Sequence, residues 1–219
     1  MNISKNERDA VYKTIFSRRD VRSEFKPDPI HDDVLMRILT AAHHAPSVGF
    51  MQPWDFIVVK QIETKQRIKD AFTLAHTQAG EMFDNDKKAT YQSLKLEGIM
   101  EAPIGICITC DRTRNGPVVI GRTAIPEMDL YSSVCAVQNL WLAARAENLG
   151  VGWVSIIHND TLKEILNIPD HIIPIAYLCV GYVSHFHNKP ELEESGWLPR
   201  ESLDSLIHFD KWGKKDQLS

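Results

Sequence analysis

Ala45-Pro46-Ser47-Val48-Gly49-Phe50-Met51-Gln52-Pro53-Trp54, running through Asp55 into Phe56-Ile57-Val58-Val59, is where a helical pattern stops and a strand-like one begins. Upstream, 31–44 carries Val34, Leu35, Ile38, Leu39 and Ala42 on one stripe of helical period. Asp32 and Asp33 stand in its first turn, where the helix dipole favours negative charge, and Pro46 stops it. Downstream, four apolar residues bounded by charge form the pattern of a buried strand. A helix delivered through a small-residue loop into a core strand predicts a mixed α and β domain.

Working outward, Val11, Tyr12, Ile15 and Phe16 have helical spacing and lead into Ser17-Arg18-Arg19-Asp20-Val21-Arg22. Residues 62–97 are polar, helical in pattern and anchored only by Phe72, Leu74, Ala75, Met82 and Phe83. That excursion reads equally as a lid over a pocket or as a surface helical pair. Residues 104–110 predict a strand, and 130–149 a long helix apolar nearly all round, with Val134, Cys135, Val137, Leu140, Trp141 and Leu142. So apolar a helix must be buried, and in a chain this short its burial points to a homodimer interface. Gly150 and Gly152 are read as ending it. Strands are expected at 152–157 and 173–182, with a short helix at 160–166 between them. The tail from 184 to 219 is less regular, and Trp197, Leu206, Phe209 and Trp212 predict that it packs on the body or on a second subunit.

Composition sets limits. With 219 residues, 43% of them hydrophobic, the expectation is one domain over 1–219 with one sizeable core. Twenty-five Lys and Arg against 29 Asp and Glu give a net charge of −4, which argues against nucleic acid as a partner. The polar N-terminus and the absence of an 18-residue apolar run predict a cytoplasmic protein with no membrane partner. Cys107 and Cys110 spell C-x-x-C, but in a strand positions three apart face opposite ways, so neither a redox pair nor a metal site is expected.

Arg18, Arg19 and Arg22 place three permanent cations within five residues, and a guanidinium fork suits a bidentate phosphate. A solvated or ion-paired face has the same composition, with Asp20 pairing its neighbours. The loop 45–54 adds hydroxyl, amide and backbone donors just before a core strand, as binding loops do, although Pro53 and Trp54 also suit a wedge into the core.

Taken together, Arg18-Arg19-Asp20-Val21-Arg22, Ala45-Pro46-Ser47, Gln52-Pro53-Trp54 and Gly150-Val151-Gly152-Trp153 resemble the flavin-binding signature of the nitroreductase family. The resemblance implies an α+β, nitroreductase-like FMN-binding sandwich: a mixed, mainly antiparallel sheet flanked by helices, with a long central helix at a homodimer interface and two chains sharing each site. It assigns Arg18, Arg19, Asp20, Val21 and Arg22 to FMN contact, Ser47, Val154 and Ser155 to the flavin lining, and Arg200 to the phosphate. Leu96 is either a pocket residue or packing.

Within the family, Ser47-Val48-Gly49-Phe50-Met51-Gln52-Pro53-Trp54, Cys110-Asp111-Arg112-Thr113-Arg114 and Gly152-Trp153-Val154-Ser155-Ile156 look like a flavin-destroying branch. Asp20 stands where ordinary members commonly carry Ser. The activity implied is oxygen-dependent fragmentation of reduced FMN to 5,6-dimethylbenzimidazole, the lower ligand of cobalamin, and erythrose 4-phosphate. Flavin is then consumed as substrate and O2 is co-substrate, while NAD(P)H acts only indirectly, through a separate flavin reductase. Asp20 is the expected general base, held ionised by the flanking arginines, and Ser155 the expected hydrogen-bond partner of the ring. Two rival readings share the flavin site. One is an FMN-dependent NAD(P)H nitroreductase or flavin reductase; the other is a flavin-carrying module with no catalysis, in which Asp20 is only an ion-pair partner.

Overall fold

A computed structural model describes residues 2–215, with Asn85 and Asp86 described for their backbone alone. The chain divides into two compact units, Met1–Asn188 and Lys189–Ser219.

In the first unit the helices are α1 (Lys5–Ser17), α2 (Asp32–His43), α3 (Ile62–Gly80), α4 (Asn85–Ser93), α5 (Met128–Ala146) and α6 (Asn159–Leu166). The strands are β1 (Trp54–Val59), β2 (Ile104–Asp111), β3 (Leu149–Val154) and β4 (Ile172–Tyr182), in the order β1-β2-β4-β3, each pair antiparallel. The sheet is thus antiparallel throughout rather than mixed, and an isolated parallel bridge joins Asp20 to Val151 at its β3 edge.

Alternation along the strands divides the core into two layers. Ile104, Ile106 and Ile108 of β2 and Ala176, Leu178 and Val180 of β4 face α2 and α5. Cys107, Tyr177 and Cys179 face the other way, toward Ile68 and Phe72 of α3 and Leu162 of α6. Cys107 and Cys110 do face apart: burial raises the Cys107 thiol to about 12, while Cys110 meets Ser133 of α5.

Several expectations are corrected. The long helix starts at Met128 and stops at Ala146 without help from the glycines. Glu147 N–H reaches back to Ala143, and Asn148, at φ 59°, turns the chain. Gly150 and Gly152 lie inside β3, which runs earlier than predicted and leaves Ser155 beyond its end. Helix α5 buries Ala136, Val137, Leu140, Trp141 and Ala144 between the sheet and α2 and leaves Tyr131 and Val134 exposed. Exposed apolar side chains also lie on α1, which buries none of its residues and exposes Val11, Tyr12, Ile15 and Phe16.

The excursion 62–97 is two different things. Helix α3 docks through Ile68, Phe72 and Ala75, and its Lys65 Nζ donates to the Ala102 carbonyl at 2.5 Å. The shorter α4 follows it. The C-terminal unit holds two short helices, Glu191–Glu194 and Leu203–Leu206, and Lys215 Nζ donates to the carbonyls of Ser205 and Ile207 at 2.6 and 2.9 Å.

Candidate active site

The site is built where the chain leaves α1. Arg18 N–H closes the helix on Thr14, and the extended backbone at Arg18 carries the chain out along β3. There Val21 N–H donates to the Val151 carbonyl at 3.0 Å. This approach explains the glycines of β3: a Cβ on Gly152 would run into the Val21 carbonyl, and one on Gly150 into the side chains of Val183 and Val21. The Gly-x-Gly pattern is therefore a groove for the Arg18–Arg22 segment.

Asp20 is fixed from two sides. Its Oδ1 accepts the Trp153 N–H at 2.9 Å and its Oδ2 accepts Arg22 Nη2 at 3.1 Å. Burial pushes its pKa above the ordinary carboxylate value; Arg22, the Trp153 N–H and Arg18 pull it back without cancelling the rise. Burial thus outweighs the arginines in setting the direction of the shift, although the side chain keeps 36% of its surface open, and solvent there limits the rise.

The three arginines are not equivalent. Arg22 is buried and holds Asp20. The Arg18 guanidinium lies 5.0 Å over the Trp141 ring. Arg19 is committed to backbone: its Nη1 donates to the carbonyls of Phe16 and Arg18 at 3.0 and 2.6 Å and its Nη2 to that of Asn188, while its Nε is buried without a hydrogen-bond partner among the described residues. A fourth cation was not read from the sequence. Arg145, in the last turn of α5, donates to the Ser17 carbonyl at 3.3 Å and has its pKa lowered by burial and by Arg19. Its only sequence signal is a basic residue at a helix C-terminus.

Val154 is buried in the same cluster as Val21, and the partly buried Leu96 packs against that cluster. Ser155 is exposed just past β3 and lines a cavity of about 140 Å³ with Trp153, Asn159, Leu162 and Tyr177. Arg200 belongs to the C-terminal unit.

Ser47 is elsewhere. Its loop precedes β1, the opposite edge of the sheet from β3. Val48 N–H donates to Ser132 Oγ near the start of α5, whereas the Arg19 carbonyl accepts from Trp141 Nε1, a separation of about 14 Å at 1.5 Å per residue along the helix. The loop is rigidly made. Ser47 Oγ accepts the Gln52 N–H at 3.0 Å, and Gly49, Phe50 and Gln52 all adopt positive φ. Arg114 Nη1 donates to the carbonyls of Gln52 and Trp54 at 2.7 and 2.9 Å, and Nη2 to Asp55 at 2.6 Å. Arg112 instead pairs with the fully buried Asp129 at 3.0 Å. The Cys110–Arg114 motif thus braces the Ser47 loop.

Comparison with known proteins agrees with this architecture. The family model described as the Nitroreductase family matches residues 15–182. The chain is 40% identical over 193 residues to a 5,6-dimethylbenzimidazole synthase of Rhodospirillum rubrum, covering 88% of this chain and 91% of that one. It is 35% identical over 204 residues to a 5,6-dimethylbenzimidazole synthase of Rhodobacter capsulatus, covering 92% and 98%. Among solved structures, an iodotyrosine deiodinase bound to FMN and 3-iodo-L-tyrosine superposes with a TM-score of 0.73 at 20% identity, covering 92% of this chain and all of that one. With its sheet, its docked arginine segment and these relatives, the chain belongs to the nitroreductase family.

Proposed function

We propose that the chain fragments reduced FMN with oxygen, yielding 5,6-dimethylbenzimidazole for the lower ligand of cobalamin, together with erythrose 4-phosphate. The observation that carries this reading is likeness along almost the whole chain to 5,6-dimethylbenzimidazole synthases, at 40% and 35% identity. The donor set fits a phosphorylated flavin: cationic Arg18 and Arg22 flank a carboxylate, and the buried Arg19 Nε has no hydrogen-bond partner among the described residues.

Bound reduced FMN supplies the electrons for oxygen and the carbon skeleton that is broken. Arg18, Arg19 and Arg22 hold its phosphate, with Arg200 as the resemblance implies, and Arg19 also shapes the segment through its backbone bonds. Val21, Val154 and Ser155 line the ring and ribityl chain. Asp20 takes a proton from the ribityl chain, and a pKa raised by burial makes it a stronger base than an exposed carboxylate. Its two hydrogen bonds fix the direction of the lone pairs. Ser155 presents its hydroxyl to the ring.

The working unit is a homodimer. Ser47 and Asp20 lie at opposite edges of one sheet, so a second copy's Ser47 loop completes each site, and the exposed apolar stripe of α1 is the surface that brings the copies together. A separate NAD(P)H-dependent flavin reductase provides the reduced flavin.

The test is to give the purified protein chemically reduced FMN in air and separate the products by chromatography with mass detection. 5,6-Dimethylbenzimidazole is the expected product. Clean return of intact FMN, with steady NAD(P)H oxidation, would assign the chain to flavin or nitro reduction instead.

A further inference from the structure

Beyond β4 the chain stays paired with the segment that follows Arg22. Phe25 and Val183 form an antiparallel bridge, Lys26 N–H donates to the Tyr182 carbonyl at 2.8 Å, and Ser184 N–H donates to the Glu24 carbonyl at 2.9 Å. This register sets Glu24 beside the His185-Phe186-His187 stretch. Phe186 packs against the second core layer, with the Arg145 guanidinium 4.0 Å over its ring. The flanking imidazoles are left together, their ring centroids 5.0 Å apart.

Glu24 turns a buried carboxylate toward them, and its Oε1 lies 3.2 Å from His187 Nε2. One ligand atom from each of Glu24, His185 and His187 falls within 4.8 Å of the other two. Ligands bound at 2.0–2.2 Å around a tetrahedral ion sit about 3.3 Å apart. The Glu24–His187 pair already has that spacing, and the exposed His185 ring closes the remainder by side-chain rotation. Ser23 Oγ donates to Glu24 Oε1 at 2.6 Å and Ser184 Oγ lies 3.1 Å from His185 Nδ1, the kind of outer support that orients ligands.

We propose that Glu24, His185 and His187 bind one divalent transition ion of the zinc class, leaving a coordination position for water. Two imidazoles and one carboxylate suit a borderline ion, whereas Mg²⁺ and Ca²⁺ prefer all-oxygen sets. An ion pair between Glu24 and His187 alone would leave the second imidazole no role. The site acts as a clasp. Glu24 Oε2 accepts the Arg22 N–H at 3.4 Å, so the ion fastens the strap after β4 to the segment bearing Arg18, Asp20 and Arg22. The proposal holds whether or not the flavin chemistry above is right.

Tag-free protein, stripped with chelator, is titrated with Co²⁺ and then Zn²⁺, following the visible bands of Co²⁺ and the thermal midpoint. One equivalent of Co²⁺ with tetrahedral-type bands, displaced by Zn²⁺, and a midpoint raised by several degrees are expected. His185→Ala and His187→Ala should each weaken binding at least 100-fold and abolish the rise. Glu24→Gln should weaken binding likewise, and because His185 is exposed its variant keeps the test valid if Glu24→Gln fails to fold. Absence of saturable binding, or binding unchanged in both histidine variants, overturns the site.

Discussion

Asp20 accepts one hydrogen bond from the Trp153 backbone and one from Arg22. Asn at this position can keep the first through its carbonyl oxygen but cannot act as a base. Asp20→Asn should retain FMN, measured by fluorescence quenching, while losing dimethylbenzimidazole formation by 10² to 10⁴-fold, the span of general base catalysis; product at wild-type rate would remove Asp20 from the chemistry. Because burial raises the Asp20 pKa, its basic form is lost at a higher pH than for an exposed Asp. Single-turnover rate should therefore fall as pH drops through that raised value, and the fall should vanish from the residual rate of the Asn variant. The same shift has the opposite sign for stability: the folded chain holds the proton more tightly, so the contribution is full below the unfolded pKa and disappears as pH rises through the folded one. Arg200→Ala should raise the FMN dissociation constant at least 10-fold; an unchanged constant would remove Arg200 from the phosphate.

At the scale of elements, β3 and the arginine segment are one assembly. Gly152→Ala places a methyl group against the Val21 carbonyl, and overpacking of this kind costs about 1–3 kcal/mol. The expected result is a lower thermal midpoint together with weaker FMN binding, since relief requires Arg18–Arg22 to lift off the strand. Unchanged stability and affinity would mean that the groove has no such role. The sequence showed these glycines but not their purpose, because a strand interior reveals nothing of the backbone lying across it. Helices α3 and α4 shared one polar pattern and differ in how they are held: Ile68, Phe72 and Ala75 tie α3 to the core, whereas α4 docks through Tyr91 on His76 of α3. Amide exchange should be slow in α3 and orders of magnitude faster in α4. Equal protection would exclude α4 as a moving cover.

For the whole molecule, the α1 stripe carries the prediction. Phe16→Asp, at a side chain 72% exposed, should leave far-ultraviolet circular dichroism intact while shifting sedimentation from dimer to monomer and lowering FMN affinity. A dimer that persists would remove the α1 stripe from the interface, and a monomer that binds FMN normally would show that the Ser47 loop and the Asp20 segment need no second copy. Much was legible in sequence because it rests on local rules: the strand 104–110 from its apolar run, α2 from its periodicity and acidic first turn, the opposed faces of Cys107 and Cys110 from strand alternation, and the cationic cluster from composition. What tertiary structure decided depends on contacts between distant segments. Pairing of Val21 with Val151 set the orientation of Asp20, desolvation rather than neighbouring charge set the direction of its pKa, and the register of 24–26 against 182–184 brought Glu24 to His185 and His187. Periodicity reports which way a residue faces along its own element; which residue meets it from another is fixed only when the sheet closes and the core packs.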